Sequence, residues 1–108
     1  MNLLLDSHAL IWFLEDDSRL SENARNAISE PVNRRWVSDA SAWEMGIKHA
    51  LGKLILPICH AHLHQMIKLP RHHGDPFDRL IIAQAQVEGL TVVTCDPHFP
   101  SYGIPTLW

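Results

Sequence analysis

The sequence has few cysteines, no long apolar run and no excess of positive charge, and each absence excludes a class of protein. Two cysteines, Cys59 and Cys95, are too few for a disulfide scaffold, and they predict reduced thiols in a cytoplasmic protein. No apolar stretch is long enough to span a membrane, and the first residues lack the basic region of a signal peptide. Without repeats or low-complexity segments, the 108 residues fit a single domain over 1–108.

The charge balance is mildly acidic, with a formal net charge of −3 at pH 7. A module that holds nucleic acid only by neutralising phosphates is ordinarily basic, so this balance argues against one. It argues less against a nuclease, because bound divalent cations would neutralise an acidic centre.

Strand-like and helix-like segments alternate along the chain. The run Leu3-Leu4-Leu5 is continuously apolar, as in a buried strand of a parallel sheet, and 91–94 has the same character. Weaker strands are predicted at 35–37 and 104–107, and 54–57 is predicted to be a connector. Apolar spacing, capping residues and glycines predict the intervening helices, which fall at 8–15, 21–30, 38–51, 59–69 and 75–88.

This alternation predicts an α/β fold in which helices flank a small, mostly parallel sheet. In such folds ligands bind beyond the carboxyl ends of the strands. Asp6 and Asp96 each follow an apolar strand, so both are expected at that edge. Glu44 borders an apolar helical stripe, and Asp78 stands in the first turn of a helix that Asp75 would cap.

Each of these acids also has a purely structural interpretation. Asp6 could be only a helix cap, and Asp96 only a turn residue. Glu44 could form an exposed pair with Lys48, and Asp78 could simply complement the helix dipole. Gathered together, however, carboxylates form an oxygen-rich site of the kind that suits Mg²⁺ or Mn²⁺ rather than zinc.

Four stretches of the chain resemble the PIN-domain family, and within it the VapC-type toxins of bacterial toxin–antitoxin pairs. They are LLLDSHALIWFLEDDSRLS, VSDASAWEMGIKHALGKL, HHGDPFDRLIIAQAQVEGL and TVVTCDPHFPSYGIPTLW. The resemblance implies a three-layer α/β fold, a Mg²⁺- or Mn²⁺-dependent endoribonuclease that hydrolyses RNA phosphodiesters, a homodimer and a cognate antitoxin. It implies catalytic, metal-binding acids at Asp6, Glu44, Asp78 and Asp96. It also implies accessory roles for Ser7, Thr94 and Asp75, of which Asp75 is more simply explained as the cap.

The chain departs from the family between Leu56 and His72, where relatives carry additional residues that include a strand. We therefore expect the family's strand order 3-2-1-4-5 to shrink to four strands in the order 2-1-4-5. The strand at Trp36 would then be an exposed edge. This departure motivates an alternative function, in which the chain is a non-catalytic, antitoxin-binding module inactivated by the missing segment.

The basic and histidine residues suggest two further features. Lys48, Arg79 and Arg71 are candidate contacts for RNA phosphates, because their charge is permanent. His60 and His64 could share a helix face and hold zinc or nickel. The favoured interpretation is a polar helix face, which leaves the other face of that helix for the core, with Leu63, Met66 and Ile67.

Overall fold

A computed structural model of the chain describes residues 1–41, 54–70, 72 and 74–108. The candidate residues Glu44, Lys48 and Arg71 lie outside these ranges, as does most of the helix predicted at 38–51. In chain order, the elements are β1 (Asn2–Leu5), α1 (Ser7–Leu14), α2 (Glu22–Ser29), β2 (Arg34–Ser38), β3 (Leu54–Leu56), α3 (His60–Lys68), α4 (Pro76–Glu88), β4 (Thr91–Val93) and β5 (Thr106–Leu107), with a 3-10 helix at Pro100–Tyr102.

The described strands form one five-stranded sheet in the order β3-β2-β1-β4-β5, and every pairing is parallel. In the central strand, Leu4 pairs with Trp36 of β2 on one side and with Val92 of β4 on the other. Because all strands run the same way, their carboxyl ends meet at a single edge. The predicted α/β architecture is confirmed.

The prediction of four strands in the order 2-1-4-5 is wrong. Residues of the expected connector form β3, in which Leu54 pairs with Trp36 and Leu56 with Ser38. An apolar run of three residues is too short for its periodicity to distinguish a strand from a connector. These residues form a strand because they pair with β2. In the described sheet β3 is therefore the edge strand, and β2 has a neighbouring strand on each side.

Helices pack on both faces of the sheet, which explains the unbroken apolarity of β1. Leu3 and Leu5 are fully buried among residues of α1 and α2, including Ala9 and Ile28. Leu4 faces the opposite way, into a core shared with α4. Burial on both faces therefore removes the alternation that a half-exposed strand would show. Within the described residues, no helix has both the length and the apolar character to cross a membrane.

The core-facing side of α3 differs from the prediction. Ile67 is 82% exposed and Leu63 is 44% exposed, whereas His62 is only 1% exposed. The Nδ1 atom of His62 accepts a hydrogen bond from the Cys59 backbone at 3.1 Å, and its Nε2 lies 2.9 Å from Glu88. Since its polar atoms have partners, the imidazole can be buried. Of the three predicted core residues, only Met66 packs against the core.

Candidate active site

Asp6 joins the end of β1 to the start of α1. Its backbone N–H donates to Val93 at 3.2 Å, which extends the pairing of β1 and β4 by one residue. Its Oδ1 accepts the Ala9 N–H at 2.7 Å, so Asp6 is also the N-cap of α1. The side chain is almost buried, with 6% exposure. The capping role and the position at the carboxyl edge thus coexist.

Asp96 lies in the turn that follows β4, on the strand next to β1. Its backbone N–H donates to the hydroxyl of Thr94 at 3.1 Å. Its Oδ1 accepts a hydrogen bond from the backbone N–H of His98 at 2.9 Å, and the Nδ1 of His98 also lies 2.9 Å from Oδ1. The Asp96 side chain is 31% exposed. Its carboxylate is therefore held by the turn yet remains accessible from solvent.

The two carboxylates influence each other. Burial is the main cause that raises the pKa of Asp6, and the negative charge of Asp96 adds to it. A hydrogen bond from the Thr94 hydroxyl, the Ala9 N–H and the charge of His8 act in the opposite direction. The structure thus brings together the first and last of the predicted acids, with Thr94 hydrogen-bonded to both residues.

The thiol of Cys95 is affected by the negative charges of the same two carboxylates. Partial desolvation raises the pKa of this thiol, although the residue is exposed, and the charges of Asp6 and Asp96 raise that pKa further. A net negative field at a strand edge is unfavourable without a counter-charge, so a divalent cation here would offset both the burial of Asp6 and its repulsion by Asp96.

The donors at this edge fit a hard cation, because they are carboxylate and hydroxyl oxygens. Asp6 and Asp96 are the residues that could hold it. In the part of the chain that the structure describes, no three acidic, histidine or cysteine side chains form a metal-binding group. Glu44, the acid predicted to complete the set, lies outside that part.

Asp75 and Asp78 begin α4. The Oδ1 of Asp75 accepts the N–H groups of Phe77 and Asp78 at 2.9 and 3.3 Å, so Asp75 is the predicted N-cap. The helix ends at Gly89, two residues before β4, and its first turn therefore points towards the carboxyl edge. Asp78, in that first turn, therefore lies on this side of the sheet. Among the described residues, however, it does not form a metal-binding group with Asp6 and Asp96.

Ser7 makes a contact that sequence reasoning did not predict. Its hydroxyl donates to the hydroxyl of Ser41 at 3.1 Å, and Ser41 is fully buried. Ser41 stands in the helical residues 39–41 that directly follow β2. Ser7 therefore connects α1 to the segment after β2, next to Asp6.

A buried polar contact behind the carboxyl edge was also missed. Ser38 and Gln84 are fully buried, and the Ser38 hydroxyl bonds to the Gln84 Oε1. The Ser38 Oγ also accepts the Ala40 N–H at 3.0 Å, and the Gln84 Nε2 donates to the Leu56 carbonyl at 3.3 Å. The two side chains thus tie the ends of β2 and β3 to α4. The available signal was a glutamine inside the apolar run LIIAQA.

Arg79 is turned towards α3. Its terminal nitrogens donate to the carbonyls of Pro70, Met66 and Leu69 at 2.9, 3.2 and 3.3 Å. A guanidinium at the end of a helix satisfies carbonyls that have no partner within the helix. This geometry favours a structural role for Arg79 over the predicted contact with RNA.

Comparison with known proteins agrees with this architecture. The family described as PIN domain matches residues 3–105, so the chain belongs to the PIN-domain family. Among solved structures, the fold is similar to VapBC2 from Rickettsia felis bound to a DNA fragment from their promoter. The TM-score is 0.74 at 14% identity, and the match covers 98% of this chain and 97% of that chain. None of the curated proteins matches the sequence.

Proposed function

We propose that the chain is a metal-dependent endoribonuclease of the VapC type, the toxin of a toxin–antitoxin pair. The observation that carries the proposal is the buried Asp6 beside Asp96 at the carboxyl edge of a PIN-domain sheet. PIN domains are generally nucleases, and the similar fold in a VapBC2 complex supports the toxin assignment. The same complex supports the proposal of a cognate antitoxin. As the resemblance of the sequence implies, we also propose a homodimer, and we retain the expected cytoplasmic location.

In this proposal Asp6 and Asp96 hold Mg²⁺ or Mn²⁺, with Glu44 and Asp78 completing the acidic set. When bound, such an ion would supply positive charge that favours deprotonation of the attacking water and offsets the negative charge developing on the phosphate oxygens during phosphodiester hydrolysis. Thr94 orients the site, because its hydroxyl donates to Asp6 and accepts the N–H of Asp96. Ser7 would support the same edge through Ser41.

RNA would be held by permanent positive charge around the acidic edge. Lys48 and Arg71 remain the proposed phosphate contacts. Arg79 is left out of this set, because its terminal nitrogens already bind the carbonyls of Met66, Leu69 and Pro70.

The proposal is tested by incubating the purified protein with total RNA in Mg²⁺, in Mn²⁺ or in EDTA. Wild-type protein should cleave RNA only with metal, and Asp96→Asn should lose cleavage because it removes a charged ligand. Glu30→Gln is the matched control. Glu30 is exposed at the end of α2, which leads into the opposite edge of the sheet, so this variant should retain activity.

A folded wild-type protein that cleaves no RNA with either metal would contradict the proposal and favour the non-catalytic interaction module. One argument for that module was the loss of an edge strand. Because β3 fills the edge position, that argument no longer holds.

A further inference from the structure

His98 makes a contact with Asp96 that the turn itself does not require. A turn begun by aspartate needs one backbone N–H on the carboxylate, and the His98 N–H supplies it at 2.9 Å. The imidazole Nδ1 lies 2.9 Å from the same Oδ1. Because an ionised carboxylate can only accept hydrogen bonds, Nδ1 carries the hydrogen and donates it.

The two donors restrict how the Asp96 carboxylate can rotate. Both donate to Oδ1. Neither of these hydrogen bonds uses Oδ2, so Oδ2 is the oxygen that could bind a cation. The His98 side chain is 51% exposed and the Asp96 side chain 31% exposed, so this hydrogen bond is not a consequence of dense packing. It is a specific contact at the mouth of the candidate site.

We propose that His98 is a positioning residue, whose Nδ1–H orients Asp96 so that its second oxygen faces the cation shared with Asp6. This inference rests on the proposed metal-dependent function. Hydrogen-bond partners of metal-ligating groups typically change metal affinity by about 10- to 100-fold when removed. The backbone N–H of His98 remains after any substitution, so the lower end of that range is expected.

Three variants separate the two nitrogens of the ring at one fixed pH. His98→Ala removes both. His98→Asn keeps a donor near the position of Nδ1, whereas His98→Gln keeps one near the position of Nε2. Mn²⁺ binding is measured by calorimetry, and the melting temperature in EDTA reports whether each variant is folded.

We expect His98→Ala and His98→Gln to bind Mn²⁺ about 10-fold more weakly than wild type, in line with a lost partner of a ligand. His98→Asn should recover most of the affinity. All three should melt in EDTA close to the wild-type temperature, since the side chain is half exposed. If the role of His98 were purely structural, the variants would differ in melting temperature, and their Mn²⁺ affinities would not follow this order.

An unchanged Mn²⁺ affinity in His98→Ala would overturn the proposal. So would a Mn²⁺ affinity that is recovered in His98→Gln but not in His98→Asn, and so would an equal loss of affinity in all three variants. Failure of the wild-type protein to bind Mn²⁺ would overturn both this inference and the proposed function. Mn²⁺ binding that follows the expected order, without RNA cleavage, would leave the positioning role intact and contradict only the ribonuclease.

Discussion

Asp6 is at once the N-cap of α1 and a nearly buried carboxylate beside Asp96, and these roles make different demands on its charge. Capping needs only an oxygen that accepts the Ala9 N–H, which an asparagine also provides. Burial, and then the charge of Asp96, raise the pKa of Asp6. An ionised Asp6 at neutral pH therefore lowers folding stability, and a bound cation would offset that cost.

The first prediction concerns Asp6→Asn. Without added metal at pH 7.5, the variant should melt a few degrees above wild type, on a scale of about 4 °C per kcal/mol. Adding Mg²⁺ should raise the melting temperature of wild type and leave that of the variant unchanged. Thermal unfolding in EDTA and in Mg²⁺ provides the measurement, with Glu30→Gln as the charge-matched control. A variant that melts below wild type in EDTA would refute a destabilising charge on Asp6.

The second prediction is the pH dependence of that difference. Because the folded-state pKa of Asp6 is raised above its ordinary value of 3.8, the folded protein holds this proton more tightly than the unfolded chain. Stability from Asp6 is thus present at low pH and lost as pH rises through the folded-state pKa. The stability advantage of Asp6→Asn in EDTA should grow from pH 4.5 to pH 7.5.

Urea unfolding of both proteins at each pH measures this difference directly. Groups that do not interact with Asp6, such as Asp17, whose pKa Arg19 lowers to about 2, contribute equally to both proteins and cancel. An advantage that shrinks as the pH rises would contradict a raised pKa of Asp6 in the folded protein.

At the scale of the elements, Ser38 and Gln84 connect β2 to α4, and Gln84 also reaches the carbonyl at the end of β3. These contacts hold the carboxyl edge against the helix whose first turn carries Asp78. A buried polar group left without a partner costs about 1–3 kcal/mol. The connection should therefore matter to stability as well as to the geometry of the edge.

The third prediction is that Gln84→Leu lowers the free energy of unfolding by roughly 2–4 kcal/mol, since it strips partners from the Ser38 hydroxyl and the Leu56 carbonyl. The double variant with Ser38→Ala should lose less than the sum of the two single losses, by about 0.5 kcal/mol or more. Urea unfolding measures all three. Gln65→Leu, at a half-buried surface contact with Gln86, is the control and should cost less. Strict additivity would exclude the coupling.

At the scale of the whole molecule, β1 is the central strand of the described sheet. It pairs with a strand on each side and is covered by helices on both faces. β5, in contrast, has two residues and lies at an edge of the described sheet. Local opening needs less free energy at such an edge than at the centre.

The fourth prediction is that the amides of Leu4 and Leu5 exchange with solvent only through global unfolding, and that the amide of Leu107 exchanges through smaller openings. Native-state hydrogen exchange at increasing urea concentrations provides the measurement. Equal opening free energies for β1 and β5 would contradict the central position of β1.

Several features of the fold and site follow from residues close together in the sequence. Asp75 and Pro76 begin α4, and Gly89 ends it in the left-handed conformation. The three leucines before Asp6 predict a buried parallel strand, and a residue that directly follows such a strand lies at the carboxyl edge of the sheet. These predictions succeed because caps, turns and apolar runs are determined within a few residues.

Other features depend on partners far along the chain, and only the tertiary structure decided them. Residues 54–56 are a strand because they lie beside β2, and His62 is buried because Cys59 and Glu88 satisfy its ring. Gln84 is buried because Ser38, 46 residues away, meets it in the core. A polar side chain is stable inside a protein only when it has a hydrogen-bond partner there. The residues next to it in the sequence do not determine whether a distant residue supplies that partner.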